Sequence, residues 1–265
     1  MAEPFNFKEL KNFFFEIYEI IKQANKELIE IWFELSEMKF LSQFNQSEIR
    51  DFFSYFDFIT LKKGNYTFYA VINKIKFITE CFKYLAYDIK DLAEFLDFGG
   101  FEALIQEILI QNNYKAIKNF RFSDKSNYKF ETSQKRYEID IIALYQNYML
   151  IIDAKQWRRK DSYGAMNKAA NLQFQRALAL KKNPETFSNL IQDLANKKTN
   201  FRKKLPIILI PVMVSLELNW IKINENSVPL VCVQNFNSFL QELGINLEYF
   251  RTIKITHLNI QKHLF

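Results

Sequence analysis

Histidine is nearly absent from this chain: only His257 and His263 occur among 265 residues, and both lie near the C-terminus. Metal sites and nuclease motifs that need several histidines are therefore excluded in practice. Cysteine is equally scarce, and Cys81 and Cys232 lie far apart in apolar segments. We expect both to be buried free thiols in a reducing compartment, which favours a cytoplasmic location.

Long apolar runs are also missing. No segment approaches the roughly twenty uncharged apolar residues of a membrane helix, and the N-terminal segment MAEPFNFKEL carries acidic residues where a secretion signal is basic and then apolar. The sequence therefore predicts neither a membrane span nor a secretion signal. With 5 Gly against 28 Phe and 13 Tyr, the composition favours helical or mixed packing over a loop-rich all-β protein.

The charge balance is moderately basic. Lys and Arg total 36 against 30 Asp and Glu, which leaves a formal net charge of +6. A field of this sign favours polyanions such as nucleic acid as partners.

Two regions are indicated along the chain. Residues 1–96 show apolar residues at three- and four-residue steps, which predicts an α-helical N-terminal region, with its clearest interruption at 63–65. The pair Gly99-Gly100 precedes a periodic helical segment, so we place a boundary near residue 97 and a second domain over 97–265. Dimerisation, DNA positioning and docking of a protein partner are the alternatives for the first region.

The second region alternates helices and strands. After the helix that begins near residue 100, three runs rich in β-branched and aromatic residues span 114–122, 136–145 and 148–157. A helix over 164–181, an interruption at Pro184, and buried strands over 206–210 and 228–233 follow. The order predicts an α/β fold, a mixed β-sheet flanked by helices with an αβββαβ core.

A hairpin register brings acidic residues together. If Tyr145 faces Tyr148 across a two-residue turn, in which Asn147 can tolerate a positive φ, then Asp140 lies opposite Asp153. The same register places Glu138 opposite Lys155, on the same face. Like charges at directly opposed positions are destabilising unless a cation binds between them, and oxygen ligands suit Mg²⁺.

These residues resemble the PD-(D/E)xK nucleases, whose E-x-D and (D/E)-x-K signatures match Glu138-Ile139-Asp140 and Asp153-Ala154-Lys155. The resemblance covers about residues 98–235. Phe101-Glu102 at a helix start, and Trp157 after the lysine, are similar to the branch with Mrr-like restriction enzymes and archaeal Holliday-junction resolvases. Asp153 departs from the glutamate that is common in that branch.

The resemblance implies a restriction-endonuclease-like fold and a set of roles. Asp140, Asp153 and the Ala154 carbonyl would bind Mg²⁺, which Mn²⁺ could replace, and Lys155 would assist the attacking water. Glu102 would bind the metal directly or through water, with Glu107 as the competing acid and a helix N-terminal charge as the alternative role.

Further candidates lie in the helix over 164–181 and before it. Gln173 falls within the apolar stripe of that helix, where a buried amide needs partners, and it resembles the site glutamine of RecB-type relatives. Arg176 lies at the edge of the stripe. Together with the basic run Arg158, Arg159 and Lys160, it is a candidate for contact with nucleic-acid phosphates.

The predicted function is a Mg²⁺-dependent DNA endonuclease. Several alternatives remain open at this point: a catalytically silent binding or assembly protein with the same fold, an RNA-directed nuclease, and, for Glu138, either metal binding or an ion pair with Lys155.

Overall fold

The computed structural model describes residues 7–84, 88–124, 135–156, 163–194, 205–216 and 222–257. The helices are α1 (Phe7–Gln23), α2 (Gln46–Phe53), α3 (Lys74–Tyr84), α4 (Ile89–Ala93), α5 (Phe98–Gln111), α6 (Tyr163–Lys182), α7 (Pro184–Leu194) and α8 (Phe236–Glu242). The strands are β1 (Glu30–Glu34), β2 (Ile59–Lys63), β3 (Phe68–Asn73), β4 (Lys115–Asp124), β5 (Lys135–Tyr145), β6 (Tyr148–Lys155), β7 (Ile207–Ser215), β8 (Leu230–Cys232) and β9 (Ile253–Ile255). Short 3-10 helices occur at Leu35–Glu37, Lys39–Gln43, Val233–Asn235 and Leu247–Tyr249.

The chain divides into two compact units, Met1–Glu107 and Ile108–Phe265. This division falls within α5, whereas the sequence predicted a boundary just before that helix. The domain limits at 96 and 97 stay a prediction.

The first unit contains the predicted helices and also a sheet that the sequence analysis did not predict. Strands β1, β3 and β2 form a three-stranded antiparallel sheet in that order. The segment 63–65, predicted as an interruption between helices, lies in the β2–β3 connection, where Gly64 donates its N–H to the Thr67 carbonyl at 2.8 Å. The strands were missed because their short apolar runs, such as Phe68–Asn73, also fit a helical period.

Phenylalanine builds the core of this unit. The rings contact one another mainly in edge-to-face and tilted arrangements, with centroid distances such as 4.7 Å between Phe13 and Phe52 and 5.2 Å between Phe14 and Phe58. Such pairs add about 0.5–1.5 kcal/mol each beyond the burial of their area. Phenylalanine packing therefore stabilises the first unit.

The second unit is built on a six-stranded mixed sheet with the order β4-β5-β6-β7-β8, and β9 pairs with β7. The pairs β4–β5 and β5–β6 are antiparallel, and β6–β7 and β7–β8 are parallel. The predicted mixed sheet and its αβββαβ order are confirmed. Strand β9, only three residues long, is an addition that lies antiparallel to the start of β7.

Helices α6 and α7 cover one face of this sheet. Their apolar residues share one core cluster with the sheet, and its fully buried members include Ile142, Ile151, Ala177, Leu180 and Leu209. Pro184 begins α7 directly after α6 ends at Lys182, which confirms the predicted interruption because proline is favoured in a first helical turn. Helix α6 is thereby fixed over the strands that carry the acidic motif.

The β5–β6 hairpin has the predicted register, with Tyr145 paired to Tyr148 and Ile141 to Ile152. The turn differs in detail, since the positive φ of 54° falls on Gln146 and not on Asn147. Asn147 instead anchors the turn to the neighbouring segment: its side chain donates to the Pro206 carbonyl at 3.2 Å, and its carbonyl accepts from Ile208 N–H at 2.8 Å.

Cys81 and Cys232 are both buried and free, as predicted. Within the described ranges, no helix has the length and apolarity needed to span a membrane. A cytoplasmic location stays a prediction.

Candidate active site

Asp140 lies where β5 loses its regular pairing on both sides. Towards β4, Ile139 and Ile141 pair with Phe120 and Lys118, and the position between them, where Asn119 faces Asp140, is skipped. Asn119 has a positive φ of 56°, a conformation that asparagine tolerates better than most residues. Local backbone irregularity of this kind occurs often at functional sites.

Towards β6, the ladder ends at the pair Ile141 and Ile152, one step before Asp140 and Asp153. Strand β6 continues instead beside β7, where Asp153 pairs with Met213. The Asp140 carboxylate lies between the separating strands, where its Oδ2 accepts the Ala154 N–H at 3.0 Å. The two strands thus hold both acids at one end of the hairpin.

Lys155 joins the two carboxylates. Its Nζ lies 3.3 Å from Asp140 Oδ2 and 3.3 Å from Asp153 Oδ2. Only the Asp140 contact is a hydrogen bond in both distance and angle, and Asp153 Oδ2 has no hydrogen-bond partner among the described residues. A buried carboxylate oxygen held only by an ion pair retains capacity to bind a further donor or a cation.

Helix α6 contributes two polar side chains to the same place. Arg176 Nη1 donates to Asp153 Oδ1 at 2.7 Å and to Gln173 Oε1 at 2.8 Å. Asp153 is 2% exposed in its side chain and Gln173 is fully buried. The Gln173 Nε2 group finds no hydrogen-bond partner in the part of the chain that the structure describes, although such a buried amide normally has one.

The electrostatics follow from burial of this cluster. Burial, and then the charge of Asp153, raise the pKa of Asp140, and Lys155 and the Ala154 N–H only partly oppose this. Burial alone would lower the pKa of Lys155, but the two carboxylates outweigh it and the pKa is raised. Lys155 is therefore a stable ammonium at neutral pH, and Asp140 ionises at a higher pH than an exposed aspartate does.

The residues present fit a hard divalent cation. Two carboxylates converge on one cationic group, one of their oxygens lacks a hydrogen bond, and the donor atoms are oxygens. Within the described ranges, no group of three or more Asp, Glu, His or Cys side chains that could hold a metal comes together. The cation site therefore rests on Asp140 and Asp153, and further ligands stay a prediction.

Glu138 corrects one part of the sequence analysis. The register that would place it opposite Lys155 ends before it, and Glu138 lies in the β4–β5 ladder opposite Arg121. Its Oε1 accepts from Arg121 Nη2 at 2.8 Å, and both side chains are exposed. This hydrogen bond lowers the pKa of Glu138. The predicted position of Glu138 opposite Lys155 was wrong because β5 and β6 separate beyond Ile141, and of the two alternatives for Glu138 the ion pair forms with Arg121 and not with Lys155.

Other predicted residues are placed less directly. Glu102 is half-buried on α5 within the first unit, so its metal-binding role stays a prediction, as does that of the Ala154 carbonyl. Trp157, Arg158, Arg159 and Lys160 lie outside the described residues.

Two features of the site were not found from the sequence. Arg121 was missed as the partner of Glu138, although the antiparallel β4–β5 order offered the signal once its register was known. The pairing of Arg176 with Asp153 was also missed. Its signal was present, because Arg176 lies three residues after Gln173 and therefore on the same side of α6.

Comparison with known proteins agrees with this site. Residues 100–223 match the model of the NERD family, described as a nuclease-related domain. This match takes in β4, β5, β6, α6 and β7, and therefore all four charged residues of the site. The region is thus similar to a nuclease-related domain of the PD-(D/E)xK-like kind, and the narrower Mrr-like or RecB-type assignment stays a prediction.

Two further comparisons add little. No curated protein matches the chain. Among solved structures, protein VC1899 from Vibrio cholerae is similar at 11% identity and a TM-score of 0.32, over 91% of this chain. This chain covers 50% of that protein, and a likeness this weak supports no conclusion about function.

Proposed function

We propose that this chain is a Mg²⁺-dependent DNA endonuclease that hydrolyses phosphodiester bonds. One observation carries the proposal: Lys155 Nζ lies 3.3 Å from the carboxylates of both Asp140 and Asp153, within a region similar to nuclease-related domains. Burying charged groups is costly, and a purely structural ion pair gains little stability from it. Acids and a lysine in this arrangement are therefore better explained by phosphate chemistry.

Each side chain has a role that its geometry supports. The oxygens of Asp140 and Asp153 would hold the cation, with the Ala154 carbonyl and Glu102 as additional candidate ligands. When bound, Mg²⁺ supplies Lewis-acid chemistry, which neutralises phosphate charge and eases deprotonation of water. Mn²⁺ should substitute, since the donors are oxygens.

Lys155 would act as a fixed positive charge. Because its pKa is raised by the two carboxylates, the ammonium stays protonated at neutral pH and cannot serve as a general base. It would orient the attacking water and stabilise the charge that develops on the phosphate. The Gln173 Nε2 group, buried and without a partner among the described residues, would donate to a phosphate oxygen or to that water.

Cleavage of DNA by the purified protein tests this proposal. We expect cleavage with Mg²⁺ or Mn²⁺ and none with a chelator. Asp153→Asn and Lys155→Gln should each lower the rate constant at least about 10²-fold, as loss of one preorganised electrostatic group does in other enzymes. Asp193→Asn, at an exposed position of α7, is the matched control and should cleave like the wild type.

Full cleavage by Asp153→Asn or Lys155→Gln would show that the nuclease site is elsewhere or absent. Linear duplex, single-stranded and four-way-junction DNA, with matched RNA, should be compared in the same assay, because substrate form depends on loops and assembly more than on motifs.

A second function has one observation in its favour. Lys155 and Arg176 already neutralise the two carboxylates in this structure, as they would in a catalytically silent nucleic-acid-binding or assembly protein. That function predicts DNA binding without turnover. The absence of divalent-cation binding, measured by calorimetry with DNA present, would favour it.

A further inference from the structure

The candidate site is balanced in charge without any metal. Two carboxylates, Asp140 and Asp153, face two permanent cations, Lys155 and Arg176. Asp153 and Asp140 are the most buried of the four, with side-chain exposures of 2% and 13%, and Arg176 follows at 15%. Interactions between such charges are stronger than on an open surface because water screens them less.

Arg176 occupies one of the oxygens that a metal would need. The guanidinium is 2.7 Å from Asp153 Oδ1, which is the short distance of a charge-assisted hydrogen bond. The same Nη1 atom contacts Gln173 Oε1 at 2.8 Å, so the arginine is held from two sides. A divalent cation at Asp153 must compete with this guanidinium and is also repelled by it.

A phosphate offers Arg176 another partner. Guanidinium groups bind phosphate oxygens as well as they bind carboxylates, and a phosphodiester brings a negative charge to the site. Transfer of Arg176 from Asp153 to a phosphate would free the Oδ1 atom and remove the repulsion in one movement. Cation and phosphate would then bind better together than either does alone.

We propose that Arg176 is a positioning residue that keeps the cation site weak until a phosphodiester is bound. This inference rests on the proposed function, since it assumes a divalent cation at Asp140 and Asp153. Its consequence is positive coupling between metal and nucleic acid, which is reciprocal by thermodynamic necessity. The free protein would bind Mg²⁺ weakly. It would also have no hydrolytic activity on small anions that cannot displace Arg176 from Asp153.

Calcium binding, measured by calorimetry on the full chain, tests this directly. Ca²⁺ is a suitable probe because it prefers the same oxygen ligands. Without DNA, Arg176→Gln should bind Ca²⁺ about tenfold more tightly than the wild type. A short DNA duplex should tighten Ca²⁺ binding by the wild type, and most of this increase should be lost in Arg176→Gln.

Two further variants serve as controls. Lys254→Gln removes one positive charge at β9, whose partner Ile208 pairs with Tyr148 at the opposite end of the hairpin. That position is about 17 Å along β6 from Asp153, at 3.3 Å per residue, so Ca²⁺ affinity should match the wild type. Arg176→Lys keeps the charge but loses the planar fork, and should tighten Ca²⁺ binding only about threefold.

The outcomes separate the two proposals. If Arg176→Gln binds Ca²⁺ no more tightly than Lys254→Gln, the proposed role of Arg176 is wrong. Thermal unfolding shows whether Arg176→Gln is folded, and if it is not, Arg176→Lys takes its place in this comparison. If the wild type binds no Ca²⁺ even with DNA, the metal-dependent function itself fails.

Discussion

Asp140 lies in surroundings that disfavour the ionised form of its side chain. Its carboxylate is 13% exposed, lies beside Asp153 on the same face, and accepts the Ala154 N–H. Burial and the neighbouring acid raise its pKa, so ionisation of Asp140 opposes folding. Groups of this kind are retained in proteins where function requires them.

We predict that Asp140→Asn abolishes cleavage but stabilises the protein at neutral pH. The asparagine oxygen can still accept the Ala154 N–H, and the like-charge repulsion is gone. The free energy of unfolding at pH 7 should rise by about 0.5–2 kcal/mol, the usual range for stabilising substitutions.

The gain should depend on pH in one direction. Because the folded-state pKa of Asp140 is raised, its favourable contribution is present below the unfolded-state pKa of about 3.9 and is lost as the pH rises through the folded-state value. The difference between Asp140→Asn and the wild type should therefore shrink towards pH 3. Urea unfolding at several pH values measures it, and an equal difference at pH 3 and pH 7 would contradict the assignment.

The β5–β6 hairpin sets the geometry of the site through its register. The turn at Gln146 and Asn147 pairs Tyr145 with Tyr148, and the pairs as far as Ile141 with Ile152 follow from that one. A shift by one residue would turn Asp140 and Asp153 to opposite faces. The position of both acids on one face therefore depends on this register.

We predict that Gln146→Gly stabilises the hairpin. Gln146 has a φ of 54°, which strains any residue with a Cβ atom and does not strain glycine. The free energy of unfolding should rise by about 0.5–1 kcal/mol after the greater flexibility of glycine in the unfolded chain is taken into account.

Asn147→Gly is the matched comparison for this turn. It removes the hydrogen bond to the Pro206 carbonyl without relieving a positive φ, and should lower stability by about 0.5–1.5 kcal/mol. Thermal unfolding of both variants tests the pair. Equal destabilisation by the two substitutions would show that Gln146 is not strained.

The whole molecule carries a formal net charge of +6, and two groups of basic residues are candidates for the surface that binds nucleic acid. The basic run at Arg158, Arg159 and Lys160 begins three residues after Lys155 in the sequence. Exposed basic residues of the first unit, including Lys39, Arg50 and Lys62, are the alternative if that unit positions DNA.

We predict that replacing Arg158, Arg159 and Lys160 together with glutamine weakens DNA binding and its salt dependence. The slope of log affinity against log salt should become shallower by up to about 2.7, because each lost phosphate contact removes about 0.9. The matched triple variant Lys39→Gln, Arg50→Gln and Lys62→Gln should change the slope by less than 1. The reverse result would assign DNA positioning to the first unit.

Local sequence patterns were sufficient to predict the mixed αβββαβ order, the hairpin register and the membership of Asp140, Asp153 and Lys155 in one cluster. These depend on local patterns: alternation along strands, a two-residue turn and a fixed pairing sum. The same local evidence was ambiguous in the first unit, where short apolar runs fit both periods and a three-stranded sheet was missed.

The surroundings of the two acids depend on tertiary packing and could not be predicted from local patterns. Because β5 separates from β6 beyond Ile141, Glu138 pairs with Arg121 and Asp140 lies between the separating strands. The packing of α6 on the sheet places Arg176 next to Asp153. Contacts between residues of different elements depend on how those elements pack, which no local pattern encodes. The charge balance of the site, and with it the proposed coupling of metal to phosphate, follows from that packing.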